Sequence, residues 1–231
     1  MGKVIMSGIV PQLEAPSNYD PVFANNTWEQ IIEACQKNKV PETWEVGDQK
    51  AMSINGTDYL IDIIGKNHDD YADGSGKAPL TFQMHDCFIN PHQMHASQSD
   101  IWVSCTMRKN LEMLRTVMPT EVENSVKEVN KLVAAGTNSS VITTTAEKLF
   151  LLSEVEIRGI AEYTFDGEGS QYAYYKAGNS VIKKANGTAR RWWGRSPGKG
   201  YQTRFFYVLE NGTYGVAYST EKFYVSFAFC F

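Results

Sequence analysis

Apolar residues recur along this chain at two periods, and these periods predict where helices and strands lie. A first helix is predicted to begin after Thr27, where a stripe at i, i+3, i+4 and i+7 marks one apolar face: Trp28, Ile31, Ile32 and Cys35. Thr27 and Gln30 have the spacing of a capping box, which satisfies free amides of the first turn. Pro41 marks the end of this region.

Two further helices are predicted in the middle of the chain. One covers about residues 106–117 and shows one apolar face: Met107, Leu111, Leu114 and Val117. After Pro119, Thr120 and Glu123 again have capping-box spacing. A stripe then continues toward Gly136, where the helix is predicted to end: Val122, Val126, Val129 and Val133. Ser153 is predicted to cap one more short turn of helix.

Extended segments frame these helices. Asn55-Gly56 is a two-residue turn signal that predicts a hairpin over residues 50–65. Strands are also predicted over residues 143–152, 201–209, 213–218 and 223–229, with a turn at Asn211-Gly212. Residues 170–195 are predicted to be a loop.

The first 26 residues differ from the rest of the chain. They are apolar and contain three of the eight prolines, Pro11, Pro16 and Pro21, which predicts an extended N-terminal arm that docks on a partner. Residues 27–231 show no internal repeat and no linker. We therefore predict a single α+β domain with antiparallel sheets and two to three helices, preceded by the arm.

Charge and composition narrow the function classes. The formal net charge is −4, which argues against a nucleic-acid coat, because phosphate binding needs a basic excess. A local basic cluster is interpreted as a solvated face, with nucleic-acid contact as the alternative: Lys183, Lys184, Arg190, Arg191 and Arg195. No apolar run reaches the ~18 residues of a membrane helix, and no signal-peptide pattern begins the chain. The chain is thus expected to begin in the cytoplasm with four free thiols: Cys35, Cys87, Cys105 and Cys230.

Two clusters could hold a metal ion. One joins residues of zinc-ligand type, namely His85, Cys87, His92 and His95. Pro91 leaves no helix to align them, so loop-surface roles are the competing interpretation. The acidic loop 69–73 could bind calcium, but Leu80 or Thr81 stands where an EF-hand would need Glu. Turn and capping roles are the alternative there, and the calcium question stays open. We predict no metal, no cofactor and no catalytic residue, since the chain has neither a G-x-S-x-G elbow nor a Gly-rich phosphate loop.

The segment 192–197, Trp-Trp-Gly-Arg-Ser-Pro, is the most distinctive motif. Adjacent tryptophans on a strand point to opposite faces, and the Arg195 guanidinium can fork onto a carboxylate or a carbonyl. We interpret Trp192, Trp193, Arg195 and Ser196 as a structural motif. It resembles the Trp-Trp-x-Arg-Ser-Pro hallmark of an uncharacterised domain family found in Gram-positive bacterial surface proteins and phage structural proteins. Further blocks agree in order: residues 44–48, 63–70, 86–88, 102–108 and 148–156.

The resemblance implies a C-type-lectin-like fold whose C-terminal region is a displayed face. It further implies a non-enzymatic phage virion structural protein, a tail, baseplate or capsid-surface component. Such a protein would be assembled in the host cytoplasm, would contact other virion proteins through the arm and would form a homo-oligomer. Its face would bind a host surface glycan or protein, or serve particle assembly, with no nucleic acid and no membrane insertion. The sugar-and-calcium triplets of animal lectins are absent, so a calcium-dependent sugar site is not implied.

Two alternatives remain from other classes. A bacterial cell-surface adhesin would fit the same resemblance. An enzyme on the related formylglycine-generating scaffold would require a reactive cysteine pair near the C-terminus. Cys230 stands alone there, which counts against this alternative. This sequence also departs from the family pattern, with Gly194 in place of Leu and a different ending over residues 224–229.

Candidate ligand-binding residues lie on the last predicted strands. Tyrosine and arginine are enriched at interface hot spots because they offer large, directional contact area. Five such residues are predicted to form the binding face: Tyr201, Arg204, Tyr207, Tyr214 and Tyr218. Strand alternation requires some of them to point inward, and the sequence alone does not say which.

Overall fold

The computed structural model describes residues 19–231, which fold as an α+β domain with mostly antiparallel sheets. Within this part of the chain the helices are α1 Trp28–Gln36, α2 Thr106–Arg115, α3 Thr120–Ser125, α4 Glu154–Arg158 and α5 Ala173–Lys176. The strands are β1 Gln49–Ile54, β2 Thr57–Lys66, β3 Leu80–Met84, β4 His92–Gln93, β5 Val129–Gly136, β6 Ser139–Glu147, β7 Lys183–Ala185, β8 Thr188–Arg190, β9 Trp192–Pro197, β10 Arg204–Val208, β11 Tyr214–Tyr218, β12 Lys222–Phe223 and β13 Ala228–Cys230. None of these helices is long and apolar enough to cross a bilayer.

A four-stranded sheet in the order β1-β2-β3-β13 lies at the centre of the fold. Its last strand brings the C-terminus back onto β3, with Phe229 opposite Phe82. Both faces of the sheet are covered by hydrophobic clusters. Side chains alternate along each strand, so neighbouring residues contact different clusters. Ile63 faces one hydrophobic cluster together with Phe82 and Phe229, whereas Ile64 and Cys230 face the other.

A second sheet, β11-β10-β9, forms the C-terminal face. It is antiparallel throughout, and the pairing of β10 with β9 shifts between Phe205 and Tyr207. Trp192 and Trp193 are both fully buried, one in each hydrophobic cluster. The two tryptophans thus point to opposite faces of the strand, and the motif joins the two hydrophobic clusters.

The local helix-start and turn signals are confirmed where they are strongest. Thr27 caps α1 and Ser153 caps α4, each with a complete capping box. The predicted hairpin turn at Asn55-Gly56 joins β1 to β2, with Ile54 opposite Thr57. Gly159 ends α4 in the left-handed conformation, where glycine carries no Cβ penalty.

The predicted valine-striped helix toward Gly136 is wrong. Its first turn exists as α3, but Pro119 rather than Thr120 occupies the cap position, with no side-chain cap. From Val129 onward the chain is strand β5, paired with β6. A spacing of four residues fits one face of a strand as well as one face of a helix, so the stripe at Val129 and Val133 could not distinguish them. The β-branched side chains favour the strand.

Three other predicted boundaries are corrected. The strand expected over 143–152 is β6, which ends at Glu147; residues 149–152 are buried, with a single bridge from Phe150 to Ala228. The loop expected over 170–195 contains α5, the hairpin β7-β8 and the start of β9. The strand expected over 223–229 is divided into β12, which pairs with β4, and β13, which pairs with β3.

Part of the predicted arm lies against the domain. Residues 1–18 are outside the described part of the chain. Tyr19 and Phe23 are buried, and both rings contact Trp44, with centroids 6.1 Å and 5.3 Å away. The side-chain oxygen of Asn26 accepts a hydrogen bond from the backbone amide of Asp20, which holds this segment in place. A deletion that separates arm from domain must therefore end before residue 19.

Candidate binding site

Strand β9 holds the distinctive motif in the interior of the domain. The indole of Trp192 donates to the Val181 carbonyl at 3.0 Å, and that of Trp193 donates to the His92 carbonyl at 2.9 Å. Gly194 permits a close approach, because a Cβ there would lie 2.7 Å from the Phe206 ring and 2.8 Å from the Leu152 carbonyl oxygen. A larger side chain at position 194 would therefore clash with Phe206 unless the neighbouring atoms moved.

Arg195 is the fully buried cation at the centre of this motif. Its guanidinium forks onto the Glu156 carboxylate, with Nη2 3.0 Å from Oε1. The remaining donors reach backbone carbonyls of Leu132, Leu151 and Glu168 at 2.9, 2.8 and 3.2 Å. The predicted fork is confirmed, and it ties β9 to α4 and β5.

A second buried cation continues this network. Lys131 Nζ lies 2.6 Å from an oxygen of Asp69 and 2.6 Å from an oxygen of Glu156. The Tyr172 hydroxyl lies 2.9 Å from both Asp69 oxygens. Burial opposes ionisation of both carboxyls, yet the charge of Lys131 on Asp69, and of Arg195 on Glu156, holds each pKa below its ordinary value. We call Asp69, Lys131, Glu156 and Arg195 the ionic frame.

The two candidate metal clusters do not converge on a common point. Asp69 belongs to the ionic frame, Asp70 pairs with Lys77 at 2.9 Å, and Asp73 caps its own turn at Ser75. Across residues 19–231, no group of three or more His, Cys, Asp or Glu side chains is arranged to hold a metal ion.

The residues of zinc-ligand type have separate partners. His85 Nδ1 lies 2.9 Å from Asp62, and His95 Nδ1 accepts from the Thr106 amide at 2.9 Å. Burial raises the pKa of the Cys87 thiol to about 12. The His92 carbonyl accepts from Trp193, while the His92 ring is half-buried.

Three of the five predicted ligand residues come together on the outer edge of the C-terminal sheet. Arg204 and Tyr218 are opposite each other in the β10-β11 register. The Arg204 guanidinium lies over the Tyr218 ring, 4.4 Å from its centroid, and donates to its hydroxyl at 3.0 Å. Tyr201 flanks it at 5.6 Å. Tyr201 and Tyr218 remain 47% and 42% exposed, so the cluster is accessible.

Of the other two predicted residues, Tyr207 lines a cavity together with Arg204 and Tyr218. Its ring packs 4.7 Å from that of Phe223 and also contacts Trp193. Tyr214 stacks on Phe206 beneath the Arg158 guanidinium and lines a different cavity, of about 480 Å³. The five residues therefore do not form one patch.

Two adjoining cavities at this sheet form a candidate site. One, of about 360 Å³, is lined in part by Arg204, Tyr207, Tyr218 and Glu221. The second, of about 270 Å³, is lined in part by Arg190, Glu210, Lys222 and Tyr224. They share Arg191 and Phe223. We call the pair the aromatic–arginine groove.

Sequence reasoning missed the second half of this groove. The sequence analysis interprets Arg190 and Arg191 as members of a solvated basic face. Phe223 and Tyr224 belong to the strand predicted over 223–229, and Lys222 lies just before it; in the structure a short strand covers Lys222–Phe223 only. The available signal was the close succession of cations and aromatic rings on both sides of the motif, but only the fold brings them together.

These observations define an antiparallel α+β domain with a buried ionic frame and an open groove of aromatic and arginine side chains. Residues 81–230 match the family model described as Domain of unknown function (DUF6273). The match spans more than half of the chain, and the protein belongs to this family. Neither a curated protein nor a solved structure matches the chain.

Proposed function

We propose that this protein is a non-enzymatic component of a phage virion whose lectin-like domain displays the aromatic–arginine groove for attachment to the host surface. The observation that carries the binding part is the exposed cluster of Tyr201, Arg204 and Tyr218. The virion setting rests on the sequence resemblance and on the apolar, proline-rich arm. Contact with other virion proteins and a homo-oligomeric state belong to the same proposal.

The cluster has the physical properties of a recognition surface. Tyrosine rings provide contact area with few rotatable bonds. Arg204 is already held by the Tyr218 ring and hydroxyl, so binding would immobilise little additional side-chain freedom, and that lowers the entropic cost of association.

The thiol environments support the non-enzymatic part of the proposal. Nucleophilic catalysis by cysteine uses the thiolate, which requires a lowered pKa. Burial instead raises the pKa of Cys35 to about 12 and that of Cys105 to about 11. Burial also raises the pKa of Cys230 well above its ordinary value. The cysteine chemistry of a formylglycine-generating scaffold has no activated thiol to use here.

Replacing Tyr201, Arg204 and Tyr218 together by Ala is expected to weaken binding to host cells by about 2 kcal/mol, or roughly thirtyfold. The melting temperature should change little, because the three side chains are on the surface. Tyr214→Ala is the matched control: it removes a tyrosine from the same strand but outside the groove, and should leave binding intact. Unchanged binding of the triple variant would contradict the proposal.

The arm gives a separate test of the virion setting. A chain that begins at residue 19 should fold with unchanged stability but no longer assemble into its oligomer or particle. A chain that begins at residue 25 should also lose about 3–5 kcal/mol, because it lacks the Phe23 ring in the core. Urea unfolding and light scattering measure the two effects. Detection of the protein in cell walls but not in purified particles would favour an adhesin.

A further inference from the structure

The arginines divide into two groups by their partners. Of the seven arginines, all within the described part, five form an ion pair with a carboxylate: Arg108, Arg115, Arg158, Arg191 and Arg195. The two that form none, Arg190 and Arg204, both line the aromatic–arginine groove. The Arg204 guanidinium donates to the Tyr218 hydroxyl, whereas the Arg190 side chain donates no hydrogen bond to any described residue.

Arg190 is held in place without being neutralised. Its guanidinium lies over the Tyr224 ring, 5.2 Å from the centroid. Its Nε is inaccessible to solvent and has no hydrogen-bond partner in the described structure. Arg190 lines the cavity and no described carboxylate pairs with it, so its guanidinium can pair with an anionic group that a ligand supplies there.

The neighbouring charges make this end of the groove attractive to an anion. Arg191 is bound by Glu210 through two contacts of 2.7 and 3.2 Å. Lys222, on the same cavity, is exposed and forms no ion pair with any residue of the described part of the chain. Four cations of the groove face two carboxylates, Glu210 and Glu221, which leaves an excess of positive charge on a chain whose net charge is −4.

We propose that this cavity binds the carboxylate of an acidic sugar, with Arg190 and Lys222 holding the carboxylate and the rings of Phe223 and Tyr224 flanking the sugar. A guanidinium matches a carboxylate through parallel N–H donors, and exposed aromatic rings offer apolar area to the C–H faces of a pyranose. A uronic acid carries its charge on the ring that would lie here, whereas a phosphodiester carries it between rings. This inference rests on the proposed function and specifies its ligand class.

The test compares three groups of printed glycans: uronate-bearing, phosphate-bearing and neutral. The wild-type protein should bind uronate-bearing glycans. The double variant Arg190→Gln with Lys222→Gln should bind them at least about tenfold more weakly, since charge-assisted hydrogen bonds are lost. Lys39→Gln with Lys109→Gln is the matched control. Both lysines are exposed, lie outside the groove and form no ion pair with a described residue. The control therefore removes the same charge and should bind like wild type.

Chemical reduction of the carboxyl group in the best uronate ligand completes the test. It should weaken wild-type binding by a similar factor and have no further effect on the double variant. If Arg190→Gln lowers the melting temperature, the exposed single variant Lys222→Gln carries the same comparison with a smaller expected loss.

Two other outcomes would each overturn a defined part of this inference or of the proposed function. Binding to neutral or phosphate-bearing glycans that is insensitive to the double variant overturns the carboxylate assignment but leaves the proposed function standing. If no glycan is bound, and host-cell binding is also unchanged in the Tyr201, Arg204 and Tyr218 variant, the proposed function fails as well.

Discussion

Arg195→Ala is expected to lower the free energy of unfolding by about 3–5 kcal/mol. The change leaves the buried Glu156 carboxylate with one of its two cationic partners, Lys131, and removes the donors to three carbonyls. Breaking a buried ion pair is far more costly than forming it is beneficial, because the surviving charge stays desolvated.

Urea unfolding of the purified variant measures this loss. The control is Arg191→Ala, four residues away, where the ion pair with Glu210 is about half exposed; solvent screening makes that pair weak, and the melting temperature should stay near that of wild type. Arg195→Lys should remain strongly destabilised, since an ammonium cannot reproduce the fork. An Arg195→Ala protein as stable as the Arg191→Ala control would show that the ionic frame is not needed for the fold.

Local signals in the sequence predicted the parts of the fold that depend on neighbouring residues. The capping boxes at Thr27 and Ser153 and the turn at Asn55-Gly56 each satisfy hydrogen bonds within a few residues, so tertiary context did not override them. The fork of Arg195 was predictable as chemistry. Its partner Glu156 was not, because it lies 39 residues away.

The wrong predictions arose where one pattern fits both a helix and a strand, or where an element is very short. Val129 and Val133 fit the helical period as well as the strand period. In the hairpin β7-β8, Asn186-Gly187 is the same turn signal as Asn55-Gly56, with both residues at positive φ. Its flanking strands have three residues each, too few to show alternation, and Lys183 is buried against the carbonyls of residues 84 and 85. Composition alone suggested a loop.

The candidate site was predictable as a composition but not as a surface. Register decides which side chains share a face, and the β10-β9 pairing shifts between Phe205 and Tyr207, so that Arg204 and Tyr207, three residues apart, line the same cavity. The register in turn depends on β9, whose position is fixed by the ionic frame. The groove thus lies on strands that are positioned by buried charges. Substitutions on the exposed side of the groove therefore need not disturb the fold.

Glu168 makes stability depend on pH in the direction opposite to that of the ionic frame. Burial raises its pKa from 4.5 to about 7, and the Ser196 hydroxyl, the Ala134 amide and Arg195 offset only part of this effect. The folded protein therefore holds a proton that the unfolded chain releases near pH 4.5. Stability contributed by this group is present below pH 4.5, falls as the pH rises toward 7, and stays reduced above it.

Glu168→Gln is expected to be more stable than wild type at pH 8, by a margin on the order of 3 kcal/mol, and about equal to it at pH 4.5. The amide oxygen can keep the bond from the Ala134 amide, 2.8 Å away in the native protein, and no buried charge remains. His68 and His92 act against this trend over the same range, because burial lowers their pKa. The informative quantity is therefore the difference between variant and wild type in urea unfolding at pH 4.5, 6 and 8. A difference that is constant across the three values would mean that Glu168 does not titrate between them, and that its buried oxygen acts through packing alone.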